Sequence, residues 1–263
     1  MLEPRLVATD LDGTLLRTDG SLSDRTREVL EALDGRGVPV VIVTGRPMRW
    51  LGDLRPVVGH HGLAIVSNGA AVYDVAADEA RDVRGIEVAA GLELARRIEE
   101  GLPGATFAVE TVAGISVAPG FVDGDRVPPG SRVGSLDELW TAPALKLLVR
   151  HPEADHDRLR EGVVQAVGDL ATPTWSMEGL VEISATGVTK ASALAALATE
   201  LGVGAEDTVA FGDMPNDVPM LRWAGTSYAV ANAHPDAVAA AGHRAPANDD
   251  DGVAEVLAGL FGL

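Results

Sequence analysis

Residues 5–15 read Arg5-Leu6-Val7-Ala8-Thr9-Asp10-Leu11-Asp12-Gly13-Thr14-Leu15. The first half is a short apolar run and predicts a strand over 5–9, running straight into two carboxylates spaced two apart and the turn residue Gly13. Downstream, Val29, Leu30 and Leu33 recur at helical spacing over 24–36, with Ser23 as N-cap and Gly35 and Gly37 as stops. Val38-Pro39-Val40-Val41-Ile42-Val43 is β-branched and almost wholly apolar, as a parallel strand buried on both faces must be. It ends at Thr44-Gly45-Arg46. A helix is expected after Pro47, and a further buried strand over 63–67 ends at Asn68-Gly69. Strand, helix, strand, helix, strand is the order of an α/β sheet with right-handed crossovers.

The C-terminal part repeats this style. A helix is predicted over 188–201 and a strand over 208–211, ending at Gly212-Asp213. Another strand is predicted over 227–230, and a closing amphipathic helix over 252–260. The middle differs. Between 82 and 186 the pattern predicts helices at 89–100 and 155–168. It predicts short strands near 105–109, 114–118, 144–149, 172–176 and 180–184, and a Gly/Pro-rich loop over 119–134. Phe107, Phe121, Trp140 and Trp175 supply this block with aromatic core residues of its own. The expected architecture is therefore α/β, with a Rossmann-like parallel-sheet core domain from 1–81 and 187–263 and an inserted α+β domain from 82–186.

Composition narrows the function. The chain has 263 residues, 46% of them apolar, which suffices for a real core. It has no cysteine, so disulfides, thiolate metal sites and Cys nucleophiles are excluded. Its 39 acidic against 21 basic residues give a formal charge of −18. That argues against nucleic acid, whose phosphates need a basic face, and against an anionic membrane surface. No apolar run approaches the roughly 18 residues of a transmembrane helix. The N-terminus lacks a basic region followed by a long apolar stretch, so a cytoplasmic protein is expected.

Sites in open α/β sheets form beyond the carboxyl ends of the strands. Four such ends carry polar punctuation here: Asp10 to Thr14, Thr44-Gly45-Arg46, Asn68-Gly69, and Gly212-Asp213-Met214-Pro215-Asn216-Asp217. Carboxylates brought close together repel unless a cation lies between them. With Asp213 at a second strand end, an all-oxygen cluster points to a hard cation such as Mg²⁺. Thr44-Gly45 offers a hydroxyl and an approachable amide where a phosphate can sit; in isolation the pair would read as a capped loop. Lys190 and Lys146 are the two lysines of the chain, and Lys190 suits a compact point charge better than a fork. His60-His61 reads as a surface pair, and His151 and His156 lack metal-ligand spacing. Asn248 to Gly252 approaches a calcium loop, but Gly252 is out of register for one. Walker-type, G-x-G-x-x-G and G-x-S-x-G motifs are absent.

Taken in order, Asp10-x-Asp12-Gly13-Thr14-Leu15, Thr44-Gly45-Arg46, Lys190 and Gly212-Asp213-x-x-Asn216-Asp217 resemble the four motifs of the haloacid dehalogenase-like superfamily. Asn68-Gly69-Ala70 and the Asn216-Asp217 pair resemble its Cof-type phosphatases. The match covers both ends of the chain, while the middle matches only in position and rough pattern. The resemblance implies that Asp10 is the nucleophile and forms an aspartyl-phosphate. Asp12 would be general acid and then general base. Mg²⁺ would be held by Asp10, Asp213 and the main-chain carbonyl of Asp12. Thr44, Gly45, Lys190 and Asn216 would hold the phosphoryl group. Asp217 would orient Lys190 or a metal-bound water, and Arg46 and Asn68 would form a substrate rim. One helix and one strand fill the interval from Thr14 to Thr44. The interval from Thr44 to Lys190 leaves room for a cap, on which Glu178 is a candidate substrate contact. The implied function is a Mg²⁺-dependent phosphatase acting on a small phosphomonoester such as a sugar phosphate, as a monomer or small homo-oligomer. A phosphotransferase or phosphomutase using the same aspartyl-phosphate chemistry is the alternative, and a binder on a catalytically dead scaffold is disfavoured because all catalytic positions are filled.

Overall fold

The computed structural model describes residues 3–51 and 62–263. His60-His61, and any helix beyond the single turn Met48–Trp50, lie outside the described residues. The chain forms two compact units, one from residues 1–81 and 189–263 and the other from 82–188.

The first unit is built on a sheet of eight strands among the described residues: β1 (Leu6–Thr9), β2 (Val40–Val43), β3 (Leu63–Val66), β4 (Ala71–Asp74), β5 (Glu79–Arg81), β12 (Thr208–Gly212), β13 (Thr226–Ala229) and β14 (His243–Arg244), in the order β14-β13-β12-β1-β2-β3-β4-β5. The six strands from β14 to β3 run parallel. The antiparallel pair β4 and β5 was not expected from the sequence. Asn68-Gly69 supplies a turn and Ala70 to Tyr73 a short apolar run that follows β3 too closely to stand apart from it in the sequence, while the outer strand β5 carries Glu79 and Arg81, as an exposed edge does. Leu6, Ala8, Val41, Val43 and Ile65 point to one face. There they pack on Leu194 and Leu197 of α5 (Lys190–Glu200) and on Met220 and Leu221 of α6 (Val218–Trp223), with α7 (Pro235–Ala240) against α6. Helices α1 (Asp24–Gly35) and α8 (Gly252–Phe261) pack against each other, with α1 also against β2. Strands β1, β2 and β3 step one way from the centre of the sheet and β12, β13 and β14 the other, so β1 sits at the switch point of the topology.

The second unit is a mixed sheet in the order β10-β11-β9-β6-β7-β8, made of β6 (Thr106–Thr111), β7 (Gly114–Val117), β8 (Arg132–Val133), β9 (Lys146–Arg150), β10 (Ala171–Thr174) and β11 (Val181–Ala185). All neighbours are antiparallel except β7 and β8. Leu94 and Ile98 of α2 (Val88–Gly101) and Leu159 and Val163 of α4 (His156–Val167) cover one face, over Phe107, Val109, Leu147 and Val149. The short helix α3 (Leu136–Leu139) lies against β6 and β7. Lys146 is buried in this unit and ion-paired with Glu182. The two lysines therefore serve different units.

No helix among the described residues is long and apolar enough to cross a membrane.

Candidate active site

The carboxyl ends of β13, β12, β1, β2 and β3 lie side by side on one edge of the sheet, and the polar motifs come directly after them. Asp10 extends β1 at the centre, its amide donating to Phe211 O at 3.0 Å. Lys190 opens α5, where the Thr189 side chain caps the helix by accepting from the Ser192 amide. Its ammonium, only 1% exposed, donates to Asp10 Oδ1 at 2.5 Å and to Asp217 Oδ1 at 2.6 Å. The other oxygen of Asp217 accepts from the amides of Asp213 and Met214, both at 3.0 Å. Asp213 Oδ1 accepts from the Thr14 hydroxyl at 2.7 Å. Carboxylate oxygens of Asp10, Asp213 and Asp217 all lie within 4.8 Å of one another.

Three buried carboxylates against one ammonium leave the cluster short of positive charge. Burial pushes the Asp10 carboxyl well above its usual range, against the pull of Lys190 and with the help of Asp217 and Asp213. Burial, aided by Asp217, raises Asp213 to about 6, although Thr14 and Lys190 oppose it. Burial works against the charge of Lys190, but Asp10 and Asp217 outweigh it and hold the ammonium above its ordinary pKa.

Two glycines permit this closeness. A Cβ on Gly13, at φ +75°, would stand 2.6 Å from Asp213 Oδ2. A Cβ on Gly69, at φ +100°, would stand 2.2 Å from Thr189 O, so only glycine lets the segment after β3 seat against the start of α5.

The other sequence candidates fall around this centre. The Thr44 hydroxyl accepts from the Arg46 amide at 3.0 Å. Asn216 donates to Asn68 Oδ1 at 3.1 Å, and both lie beside Gly45. Asn68 is buried rather than at a rim, in a left-handed stretch with Ser67 and Gly69. Asn216 Oδ1 and Ser67 Oγ are buried with no hydrogen-bond partner among the described residues. Asp12 stands apart from the buried cluster, its side chain 57% exposed, and receives Arg46 through Nε at 2.8 Å and through Nη2. Arg46 thus engages a second sequence candidate directly. Glu178 is exposed in the other unit.

Asn232 was missed in the sequence. It lies just past β13 and donates to Gly13 O at 2.8 Å. The rule that placed the other candidates at strand ends applies equally to it. Also missed was the contact of the acidic C-terminal segment with residues 16–18. Asn248 donates to Leu16 O at 3.0 Å, Asp249 takes the amide and hydroxyl of Thr18, and Asp251 takes the guanidinium of Arg17. Those acids serve the fold rather than a calcium loop.

Residues 7–257 match the family model for haloacid dehalogenase-like hydrolases. The chain is 30% identical over 250 residues to the HMP-PP phosphatase of Enterobacter sp. (strain 638), covering 91% of this chain and 88% of the relative. It is 24% identical over 261 residues to the 5-amino-6-(5-phospho-D-ribitylamino)uracil phosphatase YcsE of Bacillus subtilis (strain 168), covering 96% and 94%. The crystal structure of SMU.1108c from Streptococcus mutans UA159 superposes with a TM-score of 0.86 at 25% identity, covering 99% of this chain and all of the other. The chain belongs to the haloacid dehalogenase-like hydrolases and is an enzyme of their phosphatase branch.

Proposed function

We propose that the protein hydrolyses a small phosphomonoester through an aspartyl-phosphate on Asp10. The observation that carries this reading is the placement of the Asp10 carboxylate at the sheet's switch point, with Lys190 bonded to one of its oxygens and Asp213 beside it. Attack by a carboxylate on a phosphate dianion is repulsive, and Lys190, charged throughout the working pH range, lowers that repulsion. An Asp10 oxygen forms a bond to phosphorus as the bond to the alkoxide oxygen breaks. Protonated Asp12 gives its proton to that oxygen, and the alcohol leaves. Asp12, now a carboxylate, takes a proton from water as the water oxygen bonds phosphorus. The bond from Asp10 to phosphorus then breaks, releasing inorganic phosphate and restoring both carboxyl groups. Thr44, whose oxygen is occupied by the Arg46 amide, keeps its hydroxyl proton for a phosphoryl oxygen, and the Gly45 amide and Asn216 support the same group.

The donor set fits a hard divalent cation: all oxygen, buried, short of positive charge, with Asp10 and Asp213 both raised. Asp10, Asp213 and the Asp12 carbonyl would hold Mg²⁺, and the bound cation would supply the remaining charge neutralisation. Asp217 has both oxygens engaged by Lys190 and two amides, which suits orienting Lys190.

In this reading the unit of residues 82–188 is the inserted cap that selects the leaving group, and the substrate is a sugar phosphate or a related polyol phosphate. The relatives' activities on HMP-PP and on a phosphorylated ribityl compound support a small-molecule phosphate. The test is to acid-quench turnover with ³²P-labelled substrate and assay base-labile label on the protein. Label is expected on Asp10, and Asp10→Asn should lose it together with activity by about 10⁴-fold or more. Stoichiometric label on D10N would refute the assignment. Release of phosphate without an added acceptor separates hydrolysis from transfer.

A further inference from the structure

The turn that carries Asp12 departs from regular helical geometry. Across Leu11–Leu15, Asp12 (φ −79°, ψ 123°) and Gly13 (φ +75°) leave helical geometry, and the closing bond is Leu16 N to Leu11 O at 2.9 Å. Gly13 has the widest backbone freedom of any residue, and it sits next to the carboxylate that must meet the leaving oxygen. Its carbonyl is taken by Asn232 Nδ2 at 2.8 Å. Asn232 Oδ1 in turn accepts from the Asn248 amide at 3.0 Å, and the buried Asn248 side chain donates to Leu16 O at 3.0 Å. The middle of the turn and the residue just past it are therefore tied to one pair of asparagines. The same loop also reaches the neighbouring strand end, where the His234 amide donates to Asp213 O at 2.7 Å.

We infer that Asn232, backed by Asn248, is a positioning residue that fixes the direction of Asp12 relative to Asp213 and so times proton transfer to the leaving group. The inference rests on the reading of Asp12 as general acid. Asn232 touches no reacting atom. It acts by pinning the Gly13 carbonyl, and with it the backbone that aims the Asp12 side chain. Displacing a catalytic group by about 1 Å costs on the order of 10²-fold, and a general acid contributes about 10²–10⁴-fold.

The signature lies in the leaving group. An aryl phosphate expels a stable phenolate and needs little protonation, whereas an alkyl phosphate needs the acid. Because kcat/KM reports events up to alcohol release, the ratio of kcat/KM for 4-nitrophenyl phosphate to that for a sugar phosphate isolates the acid's contribution. Asn232→Asp keeps the acceptor for Asn248 but sets a carboxylate oxygen against the Gly13 carbonyl, and N232A removes both bonds. Either variant should raise the ratio by about tenfold. Amide hydrogen exchange in the metal-free protein should speed up across 11–18 while the α5 amides hold. Asp12→Asn, measured alongside, sets the upper limit of the ratio change. If D12N raises the ratio but N232D and N232A lower both substrates in equal proportion, the positioning role is overturned. If D12N leaves the ratio unchanged, the acid assignment itself fails, and this inference with it.

Discussion

Replacing Lys190 by Met removes the one ammonium in a cluster of three buried carboxylates while keeping nearly the same volume. Lys190 is 1% exposed, Asp217 fully buried and Asp10 6% exposed, so water cannot take over its role. Breaking a buried ion pair by deleting one partner costs about 3–5 kcal/mol, because the remaining charge is left uncompensated. At this chain length each kcal/mol moves Tm by about 2–4 °C, so Tm should fall by about 6–20 °C. The loss depends on pH in a definite direction. Asp10 is already raised by burial, and without Lys190 it rises further. A carboxyl whose folded pKa lies above its unfolded value loses stability as pH climbs through the interval between them. The loss in K190M should therefore be smaller at pH 5 than at pH 8, because the raised Asp10 carboxyl takes up its proton more readily at the lower pH. Adding D10N to K190M should recover at least about 1 kcal/mol at pH 8, since the two residues are in contact. The assay is urea unfolding of the metal-free protein at both pH values, with the slopes compared between variants. A loss under about 1 kcal/mol, or one that is equal at pH 5 and pH 8, would refute the view that Lys190 is the counter-charge of this cluster.

Asp213 gives a second pH effect, because its raised value of about 6 lies well above that of an unfolded Asp. Its contribution to the metal-free fold is fully present below the unfolded value and is lost as pH rises through 6. Affinity for Mg²⁺ should show the opposite trend, weakening as pH falls below 6 because proton and cation compete for the same oxygens; calorimetric titration across pH 5–8 checks this, and a flat affinity would contradict it. Gly69→Ala would place a methyl group 2.2 Å from Thr189 O at a φ of +100°, so a loss of about 2 kcal/mol or more is expected from thermal unfolding. G69A should also lower activity, since Thr189 caps the helix that Lys190 opens.

Much of the first unit was legible because parallel strands buried on both faces announce themselves as apolar runs, and an open α/β sheet builds its candidate site from the residues just past the ends of those runs. That logic reached Asp10, Thr44, Asn68 and Asp213. It stopped at β4, whose apolar run of Ala70 to Tyr73 follows β3 too closely to stand apart from it, and at the polar edge strand β5. It also passed over Asn232, because Ala231-Asn232-Ala233 contains no charged or paired motif to draw attention. Asn248 to Gly252 is out of register for a calcium loop, and Asp249 and Asp251 are engaged by Thr18 and Arg17, a pairing that no local pattern announces.

Local chemistry by itself determined the buried parallel strands β1, β2, β3, β12 and β13 and the helices α1, α5 and α8 of the first unit, the hard-oxygen character of the candidate site and the lack of any thiol. These depend on residue identity and short-range periodicity, which need no knowledge of distant partners. Only the tertiary structure decided which oxygen meets which donor. Lys190 reaches Asp10 across 180 positions of sequence, and Asn232 reaches Gly13 across 219. It likewise put Asn68 inside against Asn216 and gave Arg46 to Asp12. Such pairings depend on strand adjacency and helix placement, and the free energy that selects them comes from burying the whole sheet rather than from any motif.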